Sequence, residues 1–180
     1  KNWEGYLFPS ELWKEVFVSI GYINMVLKDL ENVPDYNKTD GERISGEARV
    51  MRAYYLLRLN QLFAPYDKNE YGIPFNFDAD VVQGGKRWKQ TDLYAKLIGE
   101  LMDVLAYETV PDEAWNIFFN KRIIYAILAQ TYQFKAESCA AEDDDWSKAE
   151  YYAKEARKNE RVENTVDEQF ELTTVPFGKG

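Results

Sequence analysis

Residues 46–63 read GEARVMRAYYLLRLNQLF. Ala48, Met51, Tyr55, Leu59 and Leu62 recur at steps of three and four, which is the spacing of one face of an α-helix. Arg49, Arg58 and Gln61 supply much of the opposite, polar side. Ala64-Pro65 stops the pattern, because a residue before proline is pushed out of the helical region.

Working outward, the same periodicity predicts helices over residues 10–32, 43–62, 91–106, 121–138 and 146–159. Ser10 after Pro9 is expected to cap the first, and Val33-Pro34-Asp35 to end it. Residues 66–90 hold Gly72, Pro74, Gly84 and Gly85 and read as a long irregular connection. Thr91 is the expected N-cap of the third helix, with Asp92 in its positively polarised first turn; its stripe is Tyr94, Leu97, Ile98, Leu101 and Leu105. The fourth helix places Ile123, Ile127, Gln130 and Phe134 on one side. Asp143-Asp144-Asp145 is read as the cap of the fifth, and Ala149 and Ala153 as the close crossing of a helical hairpin. Residues 112–120 read equally as short helix or loop. Residues 160–180 are expected to be an irregular tail, within which 170–175 has strand character. The expected core includes Leu59, Leu97, Leu101, Ile127 and Ala153. Helix pairs joined by short connections, with alanine at the contacts, predict an all-α domain of stacked helical hairpins.

Composition narrows the function. At 180 residues and 46% hydrophobic the chain is expected to form one domain with a real core. A net charge of -9 disfavours nucleic acid and anionic lipid surfaces, both of which need a basic face. With no histidine, imidazole catalysis and histidine-ligated zinc are excluded. The lone Cys139 excludes an intrachain disulfide and a cysteine-cluster metal site. No apolar run approaches the roughly 20 residues that span a bilayer. The acidic run 143–145 lacks the glycine and the spaced ligands of a calcium loop. Gly84-Gly85-Lys86 lacks the spacing of a phosphate loop, so neither metal nor cofactor is expected.

Gly46-Glu47-Ala48, then Arg52-Ala53-Tyr54-Tyr55 and Leu59, resembles the SusD/RagB family. Trp13, Phe17, Ile20 and Asn24 are spaced as in its preceding helix. Tyr71-Gly72-Ile73-Pro74 sits where that family leaves its long helix. Arg87, Thr91 and Tyr94 are similar to its next helix entry, although Asp92-Leu93 departs from the usual acidic residue before the Tyr. Val110-Pro111, the alanines of 126–132 and Asp145-Trp146 with Ala149 complete a collinear likeness over residues 12–159.

The resemblance implies a right-handed, tetratricopeptide-like helical array. It implies an outer-membrane, surface-exposed lipoprotein that binds a glycan or other nutrient and works with a SusC-like TonB-dependent transporter. It implies a binding protein and no enzyme. The competing reading is a tetratricopeptide-type interaction scaffold, which would need rows of polar residues lining a concave face. The chain opens at Lys1 without a methionine and is read as a mature or excised piece, the lipid anchor preceding it and the family's C-terminal half following it.

Two sets of residues are singled out on this basis. Trp3, Tyr6 and Trp88 lie outside the helical stripes beside polar neighbours (Asn2, Glu4, Lys86, Arg87), and are candidates for stacking on a sugar ring. Glu47 and Arg52 are the charged signature of the long helix. Their five-residue spacing is poor for direct pairing on one face, so Arg52 is expected to be buried against a neighbouring helix with a different partner.

Overall fold

The computed structural model describes residues 9–33, 38–64, 70–77, 85–108, 110 and 119–158. Helix α1 runs Pro9–Glu31. Proline suits a first helical turn because its missing N–H is one that a helix start leaves unpaired. Ser10 therefore lies inside the helix, not at the cap. Ile20, Ile23 and Asn24 form the buried face, flanked by Trp13, Val16 and Phe17. The helix ends where the Asn32 side chain donates to Lys28 O at 3.0 Å. Its opposite face carries Val18, Tyr22, Met25 and Val26, all exposed.

Helix α2, Lys38–Phe63, begins five residues earlier than expected. It packs against α1, α3, α4 and the first strand, so it is buried around much of its circumference. Val50, Ala53, Leu56, Leu57 and Leu59 are essentially inaccessible, whereas Leu62, expected in the apolar stripe, is 62% exposed. A helix with neighbours on several sides has no single stripe, and the spacing rule then picks out only part of its interior.

The stretch expected to be irregular contains a two-stranded antiparallel sheet, β1 (Tyr71–Pro74) with β2 (Arg87–Lys89). Arg87 holds it by donating through Nε to Gly72 O (2.7 Å) and through Nη2 to Tyr71 O (2.8 Å). Two glycines allow the backbone to approach its neighbours. A Cβ on Gly72 would stand 2.6 Å from Asn60 Oδ1 on α2, and one on Gly85 would stand 2.7 Å from Phe75 O.

Strand β2 runs straight into α3, Gln90–Leu105. Its N-cap is Lys89, which makes no side-chain cap bond. The amide of Gln90 instead donates to Glu70 O across the sheet, at 2.8 Å. Thr91, the expected cap, is an exposed residue of the first turn. Leu93, Tyr94, Leu97, Leu101 and Val104 are buried, and Ile98 and Leu105 half-buried.

Helix α4, Lys121–Ala136, is capped by Asn120, whose side chain accepts from Ile123 N at 3.0 Å. Its buried face is Ile124, Ile127, Leu128, Thr131, Tyr132 and Lys135; Ile123 faces out, one residue away from the expected register. Helix α5, Asp145–Ala156, packs closely on α4. Asp144 is the N-cap residue and makes no side-chain cap bond. Ala149 is buried at the crossing, but Ala153 is exposed, against its expected place in the core. Its neighbour Tyr152 makes the contact with α4 instead, stacking on Tyr132 and Tyr125.

Consecutive helices therefore pack in order, and α2 also meets α4. The fold is the expected all-α array of helical hairpins, with the small sheet added. The expected strand at 170–175, the tail 160–180 and residues 112–118 lie outside the described residues. No described helix is long and apolar enough to cross a membrane.

Leu101 is 0% exposed in the middle of α3. Leu101→Ala should cost about 2–5 kcal/mol in urea unfolding, through lost burial and the cavity left behind. Ala153→Ser on the exposed side of α5 should stay within about 0.5 kcal/mol.

Candidate functional site

Arg52 sits mid-helix on α2 and is 6% exposed. Its Nη2 donates to Glu100 Oε2 on α3 at 2.5 Å, and its Nη1 to Asn24 Oδ1 on α1 at 2.8 Å. Asn24 Nδ2 in turn donates to Asn76 O, just beyond β1, at 3.1 Å. The guanidinium carbon lies 4.7 Å from the centre of the Phe77 ring, and Lys96 Nζ lies 4.8 Å from the same ring. Lys96 completes the group at 3.1 Å from Glu100 Oε1.

Six residues, from three helices and the segment after β1, thus form one network around the buried Arg52 charge. Both oxygens of Glu100 are engaged by cations, so this carboxylate acts as a brace and not as a free acid or base. Glu47, the other signature residue, meets Arg43 at 3.7 Å, one turn back on its own helix.

Burial by itself pushes the Glu100 carboxyl up. The hydrogen bonds and charges of Arg52, and then of Lys96, outweigh it and hold the pKa below the ordinary 4.5. A depressed carboxylate contributes stability that is full above its unfolded-state pKa and is lost as pH falls through the folded one.

Of the three stacking candidates, Trp3 and Tyr6 lie outside the described residues. Trp88 is half-buried on β2. Its Nε1 donates to Phe75 O at 2.9 Å, and its ring lies 6.4 Å from Phe75 and 5.5 Å from Phe77. It closes the sheet over the Arg52 brace and keeps only part of its ring open. The rings that stand out most among the described residues are Tyr22, Trp146 and Tyr151, at 65%, 53% and 56% exposure. Periodicity marks Tyr22 only as a member of a helix, and gives no sign that its side of α1 is open.

At the α4–α5 turn, carboxylate oxygens of Glu142, Asp144 and Asp145 lie within 4.8 Å of one another. Lys135 Nζ stands 2.8 Å from both Asp145 oxygens and 3.0 Å from Glu142 Oε2, while Asp144 is paired with Lys148 at 2.8 Å. An ammonium already neutralises the position a metal would take. Asp145, at 0% exposure, is thus an interior ion partner, and its Oδ2 also accepts from Glu142 N at 2.7 Å. The expected capping role of the run misses this, because the partner lies ten residues upstream on another helix. Cys139 is exposed beside this turn.

Arg52→Ala strands Glu100 against Lys96 alone and should cost about 3–5 kcal/mol, whereas Arg43→Ala, at an exposed pair, should cost under about 1 kcal/mol; thermal melts distinguish them. Glu100→Gln should narrow its stability gap to the parent as pH is lowered from neutrality to below 4.5. A gap that stays constant over that range would mean that Glu100 keeps an ordinary pKa.

Comparison with known proteins agrees with this architecture. The SusD-like family model described as "Starch-binding associating with outer membrane" matches residues 2–133. No curated protein matches the chain. Among solved structures, a SusD superfamily protein from Bacteroides thetaiotaomicron VPI-5482 superposes with a TM-score of 0.71 at 23% identity. That superposition covers 88% of this chain and 34% of that one. A SusD-like carbohydrate binding protein from Bacteroides vulgatus ATCC 8482 gives a TM-score of 0.70 at 18% identity, over 88% of this chain and 33% of that one. The chain spans about a third of the length of these solved structures. With the family model matched over most of its residues and the helical array in common, the chain belongs to the SusD-like family.

Proposed function

We propose that this chain is the helical part of a surface-exposed, lipid-anchored outer-membrane protein that captures an oligosaccharide and passes it to a SusC-like TonB-dependent transporter. The observation that carries the reading is the family match across residues 2–133, together with a fold shared with a carbohydrate binding protein. The role is binding without catalysis.

Within such a protein, residues 1–180 act as one helical unit whose interior is given to packing. The Arg52–Glu100 brace and the Trp88 contacts keep α1, α2, α3 and the sheet in register. Ligand surface then comes from the rims of this unit and from the two thirds of chain that the solved relatives have beyond the matched part. Trp3, Tyr6 and the open part of Trp88 remain the candidates on this chain for stacking against a sugar.

A glycan array on the full-length protein should show selective oligosaccharide binding, and a pull-down from solubilised outer membranes should recover a TonB-dependent transporter. The 180-residue chain alone should bind the same glycan at least tenfold more weakly. Equal affinity of the isolated chain would place the main ligand surface here. No glycan binding by the full-length protein would remove the reading.

A further inference from the structure

Helices α3 and α5 do not pack on each other among the described residues, yet a side-chain contact joins them. The Tyr152 hydroxyl on α5 donates to Met102 Sδ on α3 at 3.4 Å. The ring behind that hydroxyl is held in place. It stacks on Tyr125 and Tyr132 of α4, with centroids at 6.0 and 5.6 Å and planes 22° and 11° apart. Those two residues lie seven apart, about 10 Å along the helix axis, so Tyr152 is held between them.

Met102 is 43% exposed, and its bond to Tyr152 lies at the surface. A thioether sulfur is a weak acceptor with two lone pairs. The phenol takes one of them and draws electron density from the sulfur. The other faces oxidants without cover from that hydroxyl. Met25, 52% exposed on α1, receives no hydrogen bond at its sulfur among the described residues and is the matched reference.

We propose that Met102 is a site of oxidation by peroxides whose rate is set by the Tyr152 hydroxyl. In the reaction, the open sulfur lone pair attacks one oxygen of hydrogen peroxide, and an S–O bond forms as the O–O bond breaks. The proton of the transferred oxygen passes to the departing one. The thioether becomes a sulfoxide, and the peroxide is reduced to water. Electron density engaged by the phenol is withheld from that attack, so Met102 reacts more slowly than its exposure alone would allow.

The test treats the folded chain with dilute hydrogen peroxide at neutral pH and follows sulfoxide at Met25 and Met102 by peptide mass spectrometry. Met102 should be converted, and more slowly than Met25. Tyr152→Phe keeps the ring and its stacking but removes the donor. In that variant the Met102 rate should rise about two- to tenfold, the range of one ordinary hydrogen bond, with the Met25 rate unchanged. Met102 that stays unoxidised while Met25 reacts, or that matches Met25 in the parent chain, overturns the proposal. So does a Met102 rate unaltered in Tyr152→Phe. An equal rise at both methionines overturns it too, because the variant would then have loosened the whole fold.

Discussion

A guanidinium buried on α2 has to be neutralised where it stands, and the carboxylate that does so is on α3. Taking such a pair out of water costs several kcal/mol per ion unless the remaining hydrogen bonds are made. Arg52 and Glu100 make most of theirs through Asn24 and Lys96, with Phe77 against the cation. Helices α1 and α3 do not pack on each other among the described residues. The network spans that gap, with the segment after β1 as its filling. An apolar set of the same volume would hold the helices together as well. The charges add a register: α2 cannot rotate against α3 without breaking the pair.

That register explains why the glycines of this region are where they are. A Cβ on Gly46 would stand 3.2 Å from Val104 Cγ1 on α3, closer than packed side chains ordinarily come. Gly72 does the same for β1 against Asn60. Small residues at both contacts let backbone come close enough for the Arg52 network to close. The signature stretch is thus a packing specification: a glycine for approach, an arginine for register, and Leu56, Leu57 and Leu59 for burial.

The five helices were legible in the sequence because each carries at least one regular apolar face. Leu97 and Leu101 are buried as the spacing of α3 requires. What spacing could not show is everything decided by a partner distant in sequence. The sheet is held by Arg87 reaching carbonyls fifteen and sixteen residues back, which leaves no alternation in so short a pair of strands. Thr91 has no capping role because the helix already begins at Gln90, with Lys89 at the N-cap. Asp145 reads as one of three capping aspartates until Lys135 is brought beside it. Leu62 and Ala153 obey the period of their helices but are exposed. For the candidate site, the aromatic composition drew attention to Trp88, but its half-buried place against Phe75 and Phe77 depends on the sheet that spacing could not show.

Buried polar groups elsewhere among the described residues follow the same rule. Among the described residues, five buried side-chain polar atoms lack a hydrogen bond. Three of them belong to Glu47, Arg49 and Arg52, and each of those groups has an ion partner in Arg43, Asp103 or Glu100. Their charge is spent within the fold. The two that remain are neutral amide atoms, Asn60 Oδ1 and Gln61 Nε2. Lys135, the other buried cation, is likewise consumed by Asp145 and Glu142. Both buried cations of the described residues are therefore engaged in joining helices, Arg52 across α1, α2 and α3 and Lys135 across α4 and α5.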